Sequence, residues 1–285
     1  MISGAELKTA KQTEPASTKS LALVAGEGKL PALMARSAAE KGYRVVALAL
    51  SPEAAEQVKP HVHSIHLIAP GQLGRNIGIL EKEGLNQIVF IGKIPKLNLL
   101  RNLHKLDWMA VKELGSLPDF NDDTIQRGMG NIMEARGIKV LTQREFLNHL
   151  FANVGLIGNV QPSAGEYADI EFGLKVAKEI ARLDIGQTVV VKNQMILAIE
   201  AIEGTDEAIK RGVALAHGPV VVVKVAKFNH DPRFDTPTVG MSTLNAMICS
   251  QRGGVLAIES GQTLVVERDE MCRFANEQGI AFVAI

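Results

Sequence analysis

A two-part α/β fold is predicted, on three observations. From residue 20 to about 150, short and fully apolar runs alternate with segments whose apolar residues recur at helical spacing. A stretch rich in Gly, Asn, Pro and Ser, ANVGLIGNVQPSAGEY at 152–167, then breaks the alternation. Beyond it the apolar runs return, two of them separated only by a tight turn. Runs that are apolar at every position mark strands covered on both faces, and their alternation with helices implies right-handed βαβ crossovers. Residues 19–152 are therefore expected to form a Rossmann-like, doubly wound domain, 153–165 a linker and 166–285 a mixed α/β domain. With 285 residues and 46% hydrophobic content, the chain can bury two ordinary cores.

In the first part LALVAG (21–26), RVVALAL (44–50), QIVFIG (87–92) and IKVL (138–141) read as buried parallel strands. The helices between them are KLPALMARSAAEKG (29–42), PGQLGRNIGILEKEG (70–84) and NDDTIQRGMGNIMEARG (121–137), each ending in a glycine suited to a C-cap. In the second part a helix over 168–183 leads into TVVVKNQMILAIEAIEG (188–204), which reads as two strands around a Lys192-Asn193-Gln194 turn. A helix over about 205–216, the strand VVVVKVAK (220–227), a polar loop, a helix over about 239–252, VLAIE (255–259), a helix over about 268–278 and a final strand AFVAI complete the chain.

Charge and cysteine content narrow the function. Lys+Arg and Asp+Glu both number 31, so no basic field exists to draw in nucleic acid, and nucleic-acid partners are not expected. Cys249 and Cys272 are far apart within apolar helical patterns, which suits reduced thiols in a cytoplasm. Residues 1–18 lack an apolar block and are expected to be a flexible extension; no segment approaches the 18 or so apolar residues of a membrane span.

Several constellations could carry chemistry. Gly26 and Gly28, in LVAGEGKLP, sit at a strand-to-helix junction, where backbone N–H groups can receive an anion such as a phosphate. A dinucleotide fingerprint is opposed by Pro31 at the third glycine position and by Leu50, Ser51 and Pro52 where a ribose-binding acid would stand. His61, His63 and His66 do not share one face of a strand and are expected to be a surface or strand-end cluster rather than a metal site. The segment 93–112 interleaves Leu99, Leu103 and Trp108 with lysines and arginines, which fits either a packed amphipathic helix or a surface for an acylated or membrane-resident ligand. Asp122 and Asp123 open a helix, as a cap or as ligands. Thr205 and Asp206 place a hydroxyl and a carboxylate at the start of another, after Glu200 and Glu203. Lys224 and Lys227 close the valine-rich strand, and NHDPRFDTPTVG follows with Arg233 and Asp235 held between Pro232 and Pro237. Cations and a carboxylate in a stiffened loop past a strand end are suited to gripping phosphate and ordering a metal.

LDIGQTVVV (183–191), AIEAIEGTDEAIKRG (198–212) and RFDTPTVGMSTL (233–244), together with AGEGKLP near the start, resemble the UDP-2,3-diacylglucosamine pyrophosphatases of lipid A biosynthesis, the class unrelated to calcineurin-like phosphoesterases. The resemblance spans about residues 19–285, with Thr236 standing where that family usually has an aliphatic residue. It implies Mg²⁺-dependent hydrolysis, with Mn²⁺ as a substitute, to UMP and 2,3-diacylglucosamine 1-phosphate, water attacking the β-phosphorus. It also implies that Asp235, in RxDxPTxG, is the essential aspartate, as base or as metal ligand. Gly26, Gly28, Lys224, Lys227, Arg233, Thr205 and Thr243 are the expected phosphate or nucleotide contacts, with Asp206 a second candidate metal ligand. The expected partners are the acylated UDP-sugar and, peripherally, the inner membrane of a Gram-negative bacterium; a homodimer is left open. The rival readings are an NAD(P)-dependent oxidoreductase and a non-catalytic nucleotide-sugar sensor.

Overall fold

β1 (Ser20–Ala25) lies in the middle of a five-stranded sheet, with β2 (Arg44–Ala49) and β3 (Ser64–Leu67) on one side and β4 (Gln87–Ile91) and β5 (Lys139–Val140) on the other. All pairs are parallel. The computed structural model describes residues 19–92, 106–116, 122–227, 231–234 and 236–285. Because β1 is apolar from Leu21 onward, both of its faces need cover. Leu21, Leu23 and Ala25 pack with α1 (Leu30–Glu40), α2 (Pro52–Val58) and α6 (Arg144–Leu147). Ala22 and Val24 pack with α3 (Leu73–Lys82), α4 (Trp108–Gly115) and α5 (Asp122–Glu134). The direction of winding reverses between β1 and β4, the switch point at which doubly wound sheets bind ligands.

Three elements of this half, the short helix α6 among them, go beyond the sequence expectation. Ser51 and Pro52 open the short helix α2: the Ser51 hydroxyl accepts from Ala54 N at 3.1 Å, and proline occupies the first turn. The HVHSIH segment forms a 3₁₀ turn ending at His61 and the edge strand β3, where His66 Nε2 lies 2.9 Å from Glu83 Oε1. Among the described residues no group of three or more His, Cys, Asp or Glu side chains could hold a metal ion.

The second sheet has the order β6-β13-β11-β9-β7-β8. β9 (Val221–Lys224), β11 (Val255–Ile258) and β13 (Ala281–Ala284) run parallel in its centre. The hairpin β7 (Thr188–Lys192) and β8 (Met195–Ile199) joins β9 antiparallel. Asn193 and Gln194 turn the hairpin with φ of 51° and 56°, and the buried Asp169 carboxylate accepts from both of their N–H groups at 2.9 and 2.6 Å. Asp169 belongs to α7 (Ala164–Arg182), which starts earlier than expected because Ser163 and Glu166 form a capping box. The segment expected to be a linker contributes β6 (Gly155–Leu156), antiparallel to β13 at the sheet edge.

Helix α8 (Thr205–Ala216) covers the other face of the sheet. Beyond β9, β10 (Thr238–Val239) pairs in parallel with β12 (Leu264–Val265); α9 (Met241–Ala246) is shorter than its expected range, and α10 (Arg268–Gln278) fills its own. Both cysteines are unpaired, and burial pushes the Cys272 thiol up.

Candidate active site

The N-terminal half brings backbone to the switch point rather than charge. Gly26 N donates to Ile91 O at 2.8 Å, joining the ends of β1 and β4. Gly92 has φ of 94°, and a Cβ there would lie 2.8 Å from the Gly26 carbonyl carbon, so the two ends approach as closely as they do only because residue 92 is glycine. Gly28 follows with φ of 101° and open space around it, and Lys29 begins α1 without a side-chain cap. Lys29 reaches instead to Glu267, the residue before α10 in the other half, and that carboxylate raises its pKa.

The C-terminal half brings charge, and buries it. Thr188 opens β7 beside Lys224 at the end of β9, and Glu200 stands one residue past the end of β8, its N–H on Thr188 O at 2.9 Å. Antiparallel pairing of β7 with both neighbours is what gathers these three residues at one end of the sheet. Lys224 shares a face with Val222, toward α8, and that helix starts at Thr205. Thr205 Oγ1 accepts from Lys224 Nζ at 2.9 Å and donates to Glu200 Oε1 at 2.8 Å. Lys224 is 5% exposed, Glu200 8% and Thr188 0%, so the hydroxyl bridges two charges withdrawn from water. Breaking such a buried arrangement is costly, because it leaves a charge uncompensated. Glu200 Oε2 has no hydrogen-bond partner among the described residues.

The chain leaving β9 is pinned as it goes. Val225 N donates to Gln187 O at 2.9 Å, Ala226 N to Glu259 Oε2 at 2.8 Å, and Lys227 Nζ to Asp184 Oδ1 at 2.7 Å. At 231–234 it docks onto the N-terminal half. Asp231 takes Arg233 NH2 at 2.6 Å, and Glu134 on α5 pairs with NH1 at 2.5 Å; these carboxylates, Asp231 foremost, hold the guanidinium firmly protonated. Gly130, one turn before Glu134, leaves room for Arg233: a Cβ there would meet its NH2 at 3.1 Å. The Phe234 ring lies 4.9 Å from the Phe90 ring of β4 and joins the N-terminal core.

The structure thus brings Thr205 and Lys224 together, sets Lys227 one step beyond, and carries Arg233 to α5. Asp206 lies in the first turn of α8, partly exposed. Thr243 is buried in the first turn of α9, where Gly240 N donates to its hydroxyl at 3.5 Å. Trp108 begins α4 and is 80% exposed. Asp235, Leu99, Leu103 and the side chains of Asp122 and Asp123 lie outside the described residues. Sequence reasoning did not place Thr188, Glu134 or Asp231 at the site, and gave Glu200 only as a strand end. For Glu200 the available signal was a single acid closing the run MILAI.

Comparison with known proteins gives this geometry its context. Residues 20–150 match the family model described as the LpxI N-terminal domain, and residues 153–283 match the LpxI C-terminal domain. The chain belongs to the LpxI family. A relative from Caulobacter vibrioides, UDP-2,3-diacylglucosamine pyrophosphatase LpxI, is 28% identical over 280 residues, covering 94% of this chain and 98% of that protein. Solved structures share much less. N5-carboxyaminoimidazole synthetase from Staphylococcus aureus is 18% identical with a TM-score of 0.23, over 61% of this chain and 38% of that one. The biotin carboxylase domain of 2-oxoglutarate carboxylase from Hydrogenobacter thermophilus is 16% identical with a TM-score of 0.26, over 68% and 41%. At such scores neither carries an argument about this site.

Proposed function

We propose that the chain hydrolyses the pyrophosphate bond of UDP-2,3-diacylglucosamine to UMP and 2,3-diacylglucosamine 1-phosphate, in lipid A biosynthesis. The observation that carries this reading is the match to both domains of the LpxI family, in order, and to 98% of the length of a relative named for this activity. The oxidoreductase alternative has no support at the switch point, where Ser51 and Pro52 serve as helix cap and first turn instead of a ribose-binding acid.

A pyrophosphate diester resists attack because its own negative charge repels the nucleophile, so cations must lie on its oxygens and a water must be oriented and deprotonated. Lys224 and Lys227 supply the cations at the end of β9, and the backbone around Gly26 and Gly28 a neutral anion-binding turn. Asp235 takes the proton as water oxygen bonds the β-phosphorus; the bond from that phosphorus to the bridging oxygen breaks, and UMP leaves with that oxygen. The donors described at this end of the sheet, Thr188, Glu200, Thr205 and Asp206, are all oxygen, which suits a hard cation. Magnesium shared with substrate phosphates asks the protein for only one or two carboxylates. Asp235, with Asp206 as second donor, would hold it, and when bound it would neutralise charge on the pyrophosphate. The exposed Trp108 supports contact with the acyl chains or with the inner-membrane surface. Among the described residues no helix is long and apolar enough to cross a membrane, so the contact proposed is peripheral.

The test is incubation with Mg²⁺ and UDP-2,3-diacylglucosamine, which should release UMP, with turnover lost in EDTA and restored by added Mg²⁺. In ¹⁸O-water the label should enter the sugar phosphate and not UMP. Label in UMP would place the attack at the α-phosphorus.

A further inference from the structure

We infer that Gln143 is a positioning residue for the reacting loop, holding the peptide group that joins Phe234 to Asp235. This rests on the reading of Asp235 as the catalytic carboxylate. Gln143 immediately precedes α6 and is 3% exposed. Its backbone carbonyl is fixed, accepting from Phe146 N at 3.1 Å and Leu147 N at 3.0 Å. Its side-chain amide donates to two main-chain carbonyls, Phe90 O at 2.9 Å and Phe234 O at 3.4 Å. Both partners are acceptors, so only the NH₂ end of the amide can face them.

The first bond has a local purpose. β5 pairs with Gln87 and Ile88 only, and Leu141 N takes the Ile88 carbonyl; the Phe90 carbonyl, two residues on, extends past the end of β5. Gln143 satisfies it. The second bond is not needed by either sheet. It crosses from the N-terminal half to the arm that leaves β9, and the carbonyl it meets is covalently part of the peptide bearing the Asp235 nitrogen. One rigid amide therefore ties the β4 end, two residues before Gly92, to the residue before the proposed base. The Phe90 and Phe234 rings beside it and the Arg233 pairs with Asp231 and Glu134 limit the same segment from its other sides. A shift of about 1 Å in a catalytic group can cost as much as a hundredfold in rate, so a buried tether one peptide away has leverage on turnover.

Gln143→Met keeps the volume and removes the donor. In full-length enzyme with Mg²⁺ and UDP-2,3-diacylglucosamine, it should lower kcat about tenfold or more while KM stays within about threefold. Gln143→Asn retains an amide one methylene shorter and should fall between Met and the parent. Ser37→Ala is the control: it removes another buried hydrogen bond to α6, from Ser37 Oγ to Phe146 O at 2.7 Å, and should lower Tm while leaving kcat unchanged. Asp235→Asn, measured alongside, separates the two levels of the argument. If it is at least about a hundredfold slower while folded Gln143→Met keeps kcat within about twofold of the parent, Gln143 only completes the sheet and the inference is overturned. Should Gln143→Met fail to fold, Gln143→Asn carries the same comparison with a polar group still in place. Near-parental turnover in Asp235→Asn would remove the underlying reading, and the inference with it.

Discussion

The glycine-lined end of β1 and β4 and the charged end of β9 are built by opposite means. At the first, Gly26 and Gly92 touch backbone to backbone, and Gly26 N donates to Ile91 O. At the second, Lys224 and Glu200 are held a hydroxyl apart beneath the surface. Backbone donors come with the turn that presents them, but they bring no net charge. Buried side chains supply a strong field in a low-dielectric setting, at the risk of a large penalty if any partner is lost. The two ends therefore should fail differently: the glycine end through shape, and the charged end through electrostatics.

The largest expected effect lies on the arm between them. Asp235→Asn preserves size and removes the proton acceptor, and should slow hydrolysis at least about a hundredfold with little change in Tm. A stopped or steady-state UMP assay beside a thermal melt checks it. Next comes Thr205→Val, of similar shape, which leaves Lys224 and Glu200 each one hydrogen bond short. It should cost about 1–3 kcal/mol of stability and lower kcat about tenfold, measured by urea melts and turnover; a loss of stability with turnover intact would make the charged cluster a structural one. Gly92→Ala tests the other end. Its Cβ would strike the Gly26 backbone at a positive φ, so the fold should lose about 1–3 kcal/mol, while activity of the surviving folded fraction falls only through displacement of the turn. The smallest effect is reserved for Trp108→Ser. At an exposed position Tm should move by about 0.5 kcal/mol or less in equivalent stability, while KM for the diacylated substrate should rise relative to a de-acylated analogue. Equal losses on both would show that the indole does not meet the acyl chains.

Much of this comparison was legible in the sequence, for physical reasons. Strands β1, β2, β4 and β9 are apolar at nearly every position, and the Asn193-Gln194 turn stands between two such runs, so period and punctuation agree. β3 and α2 escaped because each is short and polar-rich, and tertiary placement rather than propensity makes them regular. The Lys224 end of β9 was visible because a lysine interrupts a run of valines. Gln143 was not, since a lone glutamine before a four-residue helix has no periodicity to betray it; its meaning comes from Phe90 and Phe234, distant in sequence by 53 and 91 residues. The same holds for Asp169, whose role exists only where α7 passes the hairpin turn.

Phe234 is numbered with the second half of the chain but packs in the hydrophobic core of the first, and Leu264 does likewise on the opposite face of that sheet, among Leu21, Met34 and Phe151. The second half has thus lent two apolar side chains that the core of the first cannot lose without a void. Heating should accordingly melt the two halves in one cooperative transition rather than in sequence. A chain cut near residue 152 should yield fragments that associate in trans, because the second carries side chains that complete the core of the first.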